Sequence, residues 1–437
     1  MAVEAAIGLP RVVSRKSMVI AAFSTIVEWY DFTLYLYFAT VLSRVFFGGG
    51  AASLAATFGG FAVAYLFRPL GAIFFGHIGD RFGRRRMMLR SMTLMSAAMF
   101  LTALLPTYAQ IGPAAGWAIL ALRCVMGFSV GGEYTGVVAY MLEGAAPERR
   151  GMITSLASAA SEIGSLLAVG VAAVTVYLLD AADLSSWGWR IPFLVGAVLA
   201  FSVWVARATM EESPEFERQR AAGTAPARPL RYTIANHRRG IFRAFAISAL
   251  GSITYYVGIT YVPAFLTTAG ALAEGASLGL STVAAVAVIL VTPLVGAASD
   301  RLGRKPVLLF LCVCSAVLPI SLFSLMASGS ELRALVGAIV LAAVAGGVSA
   351  VGAVGTAEQF PGEGRLSGLA LGATGATAIF GGLTPYLAQV LLERTGWPMI
   401  PGVMIAVVAV CVLPVFMLMP ETSPLRSRAG RDTKDLS

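Results

Sequence analysis

The sequence predicts an all-α polytopic membrane protein with twelve transmembrane helices in two bundles of six. The chain of 437 residues is 57% hydrophobic and only 13% charged, with a mean hydropathy of +0.79, whereas an average soluble domain has roughly 25% charged residues. The stretch GDRFGRR at residues 79–85 also returns as SDRLGRK at residues 299–305, 220 residues further along. A charged turn repeated half a chain apart in an apolar polypeptide is typical of a duplicated membrane domain. Two such halves that rock about a central site form a common kind of transporter.

Twelve apolar segments are each close to the roughly 20 residues that a transmembrane helix needs, and we number them span one to span twelve. The long polar segment 208–242 predicts a linker between an N-half, residues 1–207, and a C-half, residues 243–437. The first six spans are 18–43, 54–75, 87–106, 114–141, 152–179 and 189–207, and the second six are 243–268, 276–298, 306–327, 332–357, 366–392 and 399–420.

Positive charge predicts the orientation. Most of the 32 Lys and Arg residues lie in the termini, the linker and the loops after even-numbered spans, and such clusters mark the cytoplasmic side. We therefore expect both termini on the cytoplasmic side of the inner membrane, and we attribute the net charge of +9 to these loops rather than to nucleic-acid binding. The basic start precedes an apolar stretch that is too long and too charged for a cleaved signal, which predicts a retained span one.

Patterns for metal, cofactor or enzyme chemistry do not occur. The four cysteines lie in apolar segments without metal spacing, the only histidines are His77 and His237, and no nucleophile motif stands out. A phosphate-binding loop of the Gly-x4-Gly-Lys-Ser/Thr type is also missing, so ATP is not the direct energy source. We expect a monomeric transporter without a cofactor, whose partners are a small solute, protons and membrane lipid.

The repeated turn predicts a gate at the cytoplasmic side. Asp80 stands just ahead of span three, where its carboxylate can cap that helix. The glycines permit a tight reversal, and the arginines remain at the anionic inner surface, where they can bond the last carbonyls of neighbouring helices. Anchoring of topology without gating is the alternative. The residues of the two turns are Gly79, Asp80, Arg81, Gly83 and Arg84, and Asp300, Arg301, Gly303 and Arg304.

A second loop repeats at nearly the same offset. Glu143 and Arg150 flank the loop after span four, and Glu358 and Arg365 flank the loop after span ten, 215 residues later. In each copy the acid precedes the arginine by seven residues. We predict that these four residues support the gate through ion pairs.

Six motifs extend from span one to span eleven, namely EWYDF at 28–32, RPLGA at 68–72, GHIGDR at 76–81, GGEY at 131–134, WGWRIPF at 187–193 and FGGLTP at 380–385. With them the chain resembles the major facilitator superfamily, and within it the metabolite:proton symporters. The resemblance implies the twelve-helix fold and proton-coupled uptake of a metabolite, whose identity the motifs do not carry. Relatives carry citrate, α-ketoglutarate, tricarballylate, shikimate, or proline and betaine. Span five departs from the family because Glu162 and several serines stand where many relatives have glutamines.

Ionisable residues inside the membrane are functional candidates, because each costs at least about 2.5–3.5 kcal/mol at mid-bilayer. We place Glu28 and Asp31 near the middle of span one, Arg123 in span four and Glu162 in span five. Helical spacing puts these acids in polar stripes, which we expect to meet at the central cavity. The stripes are Ser24, Glu28, Asp31 and Tyr35 on span one, and Ser155, Ser158, Glu162 and Ser165 on span five.

This cluster has the chemistry that proton coupling needs. A carboxylate in a low-dielectric cavity readily takes up a proton, and a nearby arginine opposes this. A substrate carboxylate that engages the arginine bidentately would free the acid to bind a proton, so substrate and proton would favour each other. We predict Arg123 as the anion clamp, Asp31 and Glu28 as proton carriers and Glu162 as a second candidate. Buried ion pairs with a purely structural role are the alternative.

Two further charged residues, Arg68 in span two and Glu133 in span four, lie nearer the cytoplasmic end of their spans. We expect Arg68 to pair with Glu133 or to cap carbonyls near the inner gate. The C-half has no charge in the middle of any span, so it would orient the solute with hydroxyl and phenol groups. The predicted substrate-binding residues besides Arg123 are Tyr35, Tyr255, Tyr256 and Thr377.

The sequence therefore predicts a secondary active transporter that imports a small organic acid, such as a di- or tricarboxylate, together with protons. An osmolyte permease for proline or betaine is the second interpretation. It would need an aromatic cage for a quaternary ammonium, and the short tail at 421–437 argues against it. A proton-antiport efflux carrier is the third interpretation. A receptor built on a transporter fold is a fourth, and it would bind the solute without transporting it.

Overall fold

The computed structural model describes residues 13–49, 51–269 and 272–426. Arg11 and the tail residues 427–437, which entered the predictions of topology, lie outside these ranges. In the described part of the chain eleven helices are long and apolar enough to cross a membrane. Span one, which carries Glu28 and Asp31, is more polar but is also helical and packs lengthwise against span five. The predicted all-α fold of two six-helix bundles is confirmed.

The helices follow the predicted order. The N-half contains Arg15–Tyr37 with Ala39–Phe47, Ala51–Phe82, Arg84–Leu104, Ala114–Val130 with Glu133–Gly144, Arg150–Leu178 and Arg190–Ala208. The linker contains the helices Pro214–Ala222 and Pro229–Asn236. The C-half contains Arg238–Tyr255 with Val262–Thr268, Glu274–Leu302, Arg304–Met326, Glu331–Ala357, Arg365–Leu369 with Gly375–Phe380 and Thr384–Thr395, and Ile400–Leu418.

Spans two and eight are longer than predicted. Span two continues through Asp80 to Phe82 and span eight continues through Asp300 to Leu302, so each repeated turn is reduced to one glycine. Gly83 and Gly303 have φ angles of 107° and 102°, a conformation that residues with a Cβ rarely adopt. The sequence predicts both aspartates in loops, because no residue nearby along the chain is an evident partner for a carboxylate in a helix. The structure supplies these partners from elsewhere, so the backbone stays helical at both aspartates.

The two halves meet along spans two and eleven on one side and spans five and eight on the other. Each half has its own buried apolar core. Large apolar side chains also cover the outer faces of the helices, for example Leu66, Leu70 and Phe74 on span two and Leu290 and Leu294 on span eight. Such exposure is what a lipid-facing surface requires.

Spans two and four approach each other through glycines. A Cβ added at Gly127 would lie 2.0 Å from the carbonyl oxygen of Ala64, and one added at Gly131 would lie 2.1 Å from that of Arg68. Small residues allow this backbone contact between membrane helices. The contact fixes Arg68 and Arg123, one on each helix, beside span one.

Candidate functional site

A central cavity of about 170 Å³ lies between the halves. Spans one, two and five contribute its charged groups, and span four contributes Tyr134 and Thr135. Spans seven, eight, ten and eleven contribute hydroxyl, phenol and apolar groups. The polar lining consists of Glu28, Arg68, Ser158, Ser161 and Glu162, the aromatic residues Trp29, Tyr65, Tyr134, Tyr255 and Tyr256, and Thr135, Ser248, Ser252, Ser349, Thr356, Thr374 and Thr377.

Glu28 and Arg68 form a loose ion pair at the cavity wall. Arg68 Nη2 donates to Glu28 Oε1 over 3.4 Å, and Glu28 Oε2 is buried without a hydrogen-bond partner among the described residues. The guanidinium carbon lies 4.9 Å from the ring centroids of both Phe32 and Tyr65. Arg68 is therefore held by two rings and by a long hydrogen bond to Glu28, and a guanidinium with five N–H donors has further donors that can meet an anion.

Asp31 and Arg123 form a much tighter pair. Arg123 donates to both carboxylate oxygens of Asp31, from Nη1 over 2.7 Å and from Nη2 over 3.1 Å. Both residues are buried and line a small side cavity of about 30 Å³ rather than the central one. Tyr35 also lines the side cavity, with Arg123 Cζ 5.2 Å from its ring and its hydroxyl donating to Thr57 O. In this conformation both terminal nitrogens of Arg123, the predicted anion clamp, already bind the carboxylate of Asp31.

The expected pairing of Arg68 with Glu133 is wrong. Glu133 instead accepts from Arg207 at the end of span six and from Ser91 Oγ, the latter over 2.5 Å. Arg207 is fully buried and also donates to Met88 O over 2.6 Å. A buried guanidinium requires a carboxylate, and the position of Arg207 as the last residue of the predicted span six gives no sign of this partner.

In the described part of the chain, two hydrogen bonds cross the cavity from one half to the other. Tyr255 of span seven donates to Glu162 Oε1 of span five over 2.5 Å, and Tyr65 of span two donates to Tyr256 of span seven over 2.9 Å. A π-helical turn, Tyr256–Thr260, begins at this point of span seven, and span eleven has another at Ala370–Thr374 beside Thr377. Such turns are rare and occur mainly at functional sites.

The two polar stripes are buried except for Ser165, which is half-buried, but they do not converge on one point. Ser24, Glu28, Asp31 and Tyr35 are all buried, and so are Ser155, Ser158 and Glu162. Glu28 and Glu162 line the central cavity, whereas Asp31 and Tyr35 face the side cavity. Thr377 lines the central cavity and is bonded to Ser252 Oγ over 2.9 Å.

The end of the molecule that carries the repeated turns is closed by two reciprocal contacts. Asp80 of the N-half accepts from the backbone N–H groups of Leu366 and Ser367, over 3.1 and 2.8 Å, at the start of span eleven. Asp300 of the C-half accepts from Gly151 and Met152, over 2.8 and 2.9 Å, at the start of span five. The prediction that Asp80 caps span three is therefore wrong. Each aspartate caps a helix of the opposite half.

Arginines inside the repeated turns reinforce this closed end. Arg84 and Arg304 are fully buried rather than at the membrane surface as expected, whereas Arg81 and Arg301 are exposed. Arg84 donates to Glu143 from Nε and Nη2 and to Gly362 O of the C-half over 2.8 Å. Arg304 donates to Glu358 from Nε over 3.2 Å. Of the other predicted supports, Arg365 pairs with Glu143, and Arg150 is half-buried at the start of span five.

Sequence reasoning missed two carboxylates at the closed end. Glu212 accepts from the backbone N–H groups of Arg84 and Arg85, and Glu421 accepts from those of Arg304 and Lys305. They cap spans three and nine, and the cap of span three is the role that the sequence predicts for Asp80. The signal was present as a third repeat, ESP at 212–214 and ETSP at 421–424, each after the last span of its half.

Two membrane-embedded halves that share a polar cavity are typical of transport proteins. The family model of the sugar (and other) transporters matches residues 17–228, and that of the major facilitator superfamily matches residues 269–435. The chain is 31% identical over 420 residues to the proline/betaine transporter of Escherichia coli (strain K12), covering 94% of this chain and 84% of the relative. It is 30% identical over 389 residues to the citrate-proton symporter of Klebsiella pneumoniae, covering 88% and 87%. This chain belongs to the major facilitator superfamily of transporters and is not an enzyme.

Solved structures agree on the fold. The proton:xylose symporter XylE bound to 6-bromo-6-deoxy-D-glucose superposes with a TM-score of 0.77 at 19% identity, covering 93% of this chain and 96% of XylE. The chain is thus a multi-span membrane protein of the same architecture.

Proposed function

We propose that this protein is a proton-coupled symporter of a small carboxylate-bearing metabolite, which it carries across the inner membrane by alternating access. The observation that carries the proposal is the Glu28–Arg68 pair in the central cavity, a carboxylate and a guanidinium joined by one hydrogen bond of 3.4 Å. The relative named a citrate-proton symporter has a function of this kind, which supports the proposal.

The pair provides linkage between solute and proton. A solute carboxylate that binds Arg68 through two parallel hydrogen bonds replaces the single long contact with Glu28. Glu28 then lacks a cation and lies in a poorly solvated wall, where a bound proton removes the cost of its charge. Bound solute therefore favours bound proton, and the reverse holds equally. The Asp31–Arg123 pair lies next to Arg68 in the side cavity and, in this proposal, holds span four against span one.

The closed end is, in this proposal, the cytoplasmic gate. Its turns are rich in arginine, and such clusters favour the cytoplasmic side of a membrane. In this proposal both termini lie on that side as well. Asp80 and Asp300 each bond the opposite half, so these contacts break when this end opens. The solute then leaves the cavity towards the cytoplasm.

Uptake by proteoliposomes tests the proposal. Labelled citrate, α-ketoglutarate, shikimate, proline and glycine betaine are each offered with and without an imposed inward proton gradient. We expect at least one carboxylate solute to accumulate only with the gradient, and Arg68→Gln to abolish this accumulation. Tyr261→Phe, which removes a bond to Gln389 within the C-half, is the control. Uptake of every solute without regard to the gradient would contradict symport.

A zwitterionic osmolyte is the second candidate solute. Among the described residues, five aromatic side chains line the cavity: Trp29, Tyr65, Tyr134, Tyr255 and Tyr256. Glu162 has no lysine, arginine or histidine paired with it among the described residues. Aromatic rings and a carboxylate that is not paired with a basic side chain suit a quaternary or secondary ammonium, while Arg68 suits the solute carboxylate. Accumulation of proline or betaine, but of no di- or tricarboxylate, would favour this candidate.

A further inference from the structure

Glu162 differs from the other acids of the site in its partners. Glu28 is paired with Arg68 and Asp31 with Arg123, but within the described ranges no basic side chain forms an ion pair with Glu162. Its bond to another side chain comes from Tyr255 Oη of the opposite half, over 2.5 Å. A buried carboxylate without a cation is costly to ionise, and binding a proton removes that cost.

Tyr255 is the main hydrogen-bond donor to Glu162 among the groups that surround this carboxylate. Span one presents Glu28 to the same cavity and Tyr37 within electrostatic reach. Span four presents Tyr134, whose hydroxyl bonds Ser158 over 2.8 Å. Spans eight, ten and eleven line the cavity with apolar side chains and hydroxyl groups alone in the described part of the chain, and their hydroxyl groups are Ser349, Thr356, Thr374 and Thr377.

We infer that Glu162 and Tyr255 form a proton-sensitive bridge between the halves, in which Tyr255 is a positioning residue that transmits the protonation of Glu162 to span seven. A hydrogen bond from a phenol to an ionised carboxylate is roughly twice as strong as one to a neutral acid. The ionised pair therefore holds span five and span seven together in the conformation with the closed end. Protonation of Glu162 weakens the bridge and allows the halves to separate.

Packing around the bridge makes it stiff enough to act in this way. The ring of Tyr255 lies edge-on to Trp29 with centroids 5.3 Å apart and to Tyr256 at 5.4 Å. Tyr256 itself bonds Tyr65 of the N-half. Trp29 and Tyr65 of the N-half thus hold the phenols of span seven, and the bond that changes with the proton is the one to Glu162. This inference rests on the proposed alternating access, whatever the solute.

The distance across the closed end measures the bridge without any solute. Spin labels at the exposed positions Arg86 and Leu302, one in each half, are introduced after replacement of the four native cysteines. Pulsed dipolar spectroscopy then gives the ratio of open to closed molecules between about pH 5 and 9, above the ordinary range of a solvated glutamate. We expect this ratio to rise about tenfold as the pH falls, as a change of about 1.4 kcal/mol implies.

Two variants and one control decide the result. Glu162→Gln mimics the protonated acid, and Tyr255→Phe removes the hydroxyl while keeping the ring against Trp29. Each should hold the ratio at the low-pH value throughout, whereas Tyr261→Phe on the same span should titrate like the native protein. A ratio that does not depend on pH in the native protein, or a titration that persists in either variant, overturns the inference. Tyr255→Phe alone decides it if Glu162→Gln does not fold.

This outcome is separate from the uptake test. If no solute accumulates with a proton gradient, the proposed function fails, whatever the distances across the closed end show. If a solute accumulates and the distances do not change with pH, only the bridge is rejected.

Discussion

Arg365 of the C-half donates from Nη1 to Glu143 Oε1 of the N-half over 2.6 Å, an ion pair that joins the two halves at the closed end. The same carboxylate accepts two hydrogen bonds from Arg84, which in turn donates to Gly362 O. One buried acid is therefore shared by an arginine of its own half and an arginine of the other. It links the capping contact of Asp80 to the loop after span ten.

Asp80→Asn should open this end. The amide keeps the shape of the side chain but loses charge-assisted bonds to Leu366 and Ser367, each of a kind that contributes about 1.5–3 kcal/mol. We expect a cysteine placed at Ala353, which lines the cavity towards this end, to react with a small maleimide about ten to a hundred times faster. Arg90→Gln, at an exposed position of span three, is the charge control. An unchanged rate would show that Asp80 does not hold the gate.

Replacing each cavity arginine by lysine separates the two possible clamps. A lysine cannot bind a carboxylate through the paired donors of a guanidinium. In an uptake assay with the carboxylate solute that accumulates, Arg68→Lys should raise KM about tenfold or more, whereas Arg123→Lys should act mainly on the amount of folded protein. The opposite pattern would assign the clamp to Arg123, as the sequence predicts.

The Asp31–Arg123 pair should be costly to break on one side only. Removing one partner of a buried pair leaves an uncompensated charge and costs about 3–5 kcal/mol. Asp31→Asn should therefore lower the thermal unfolding temperature in detergent, and the double variant Asp31→Leu, Arg123→Met should recover much of the loss. A double variant as unstable as the single one would indicate that the pair contributes more than charge neutralisation.

Gly127→Ala should disrupt the contact of spans two and four. The added methyl would lie 2.0 Å from Ala64 O, and backbone cannot move aside as a side chain can. Overpacking of this kind costs about 1–3 kcal/mol or more. Gly170→Ala on span five is the matched control, since nothing lies within 4 Å of its added Cβ. Equal unfolding temperatures for the two variants would contradict the close approach.

The cap at span three predicts a pH dependence. Burial raises the pKa of Glu212 above its usual value, although the backbone N–H bonds from Ser213 and Arg85 oppose this. Ionising Glu212 therefore costs free energy in the folded protein. The cost is absent below the pKa of the unfolded chain and appears as the pH rises through the folded value. Relative to the native protein, Glu212→Gln should be increasingly stable as the pH rises through this range.

The matched variant Glu212→Ala tests the cap itself. Compared with Glu212→Gln, which keeps an acceptor oxygen, it removes the acceptor of two backbone N–H groups and should cost about 0.5–2 kcal/mol at any pH. Unfolding temperatures of the three proteins between acidic and neutral pH check both statements. Equal stability of the Ala and Gln variants would show that the cap is dispensable.

Much of the fold follows from features that the sequence states locally. Apolar length marks the spans, and the offset between Asp80 and Asp300 marks the duplication. Helical spacing also places Glu28 and Glu162 on buried faces, because periodicity depends only on the backbone. These predictions need no knowledge of which helix lies beside which.

The partners of the charged groups depend on that missing knowledge. Arg207 stands at a predicted span end, and nothing along the chain indicates that it is fully buried against Glu133. Asp80 precedes span three by a few residues, yet it caps a helix that begins 285 residues later, at Arg365. Partners of this kind are determined by how helices pack, and one sequence does not encode that packing in a readable pattern.

The reciprocal caps of Asp80 and Asp300 give the closed end the logic of a two-fold homodimer. In such an interface one patch on each subunit meets the same patch on the other, so every contact occurs twice. Here each half contributes an aspartate at the end of one helix. The start of another helix in the same half donates backbone N–H groups to the aspartate of the opposite half. Two copies of a single half would satisfy the same rule, since each would carry both the carboxylate and the backbone donors. The linker 208–242 would then fix one copy of each half per molecule, so that the cavity residues of the two halves need not be the same.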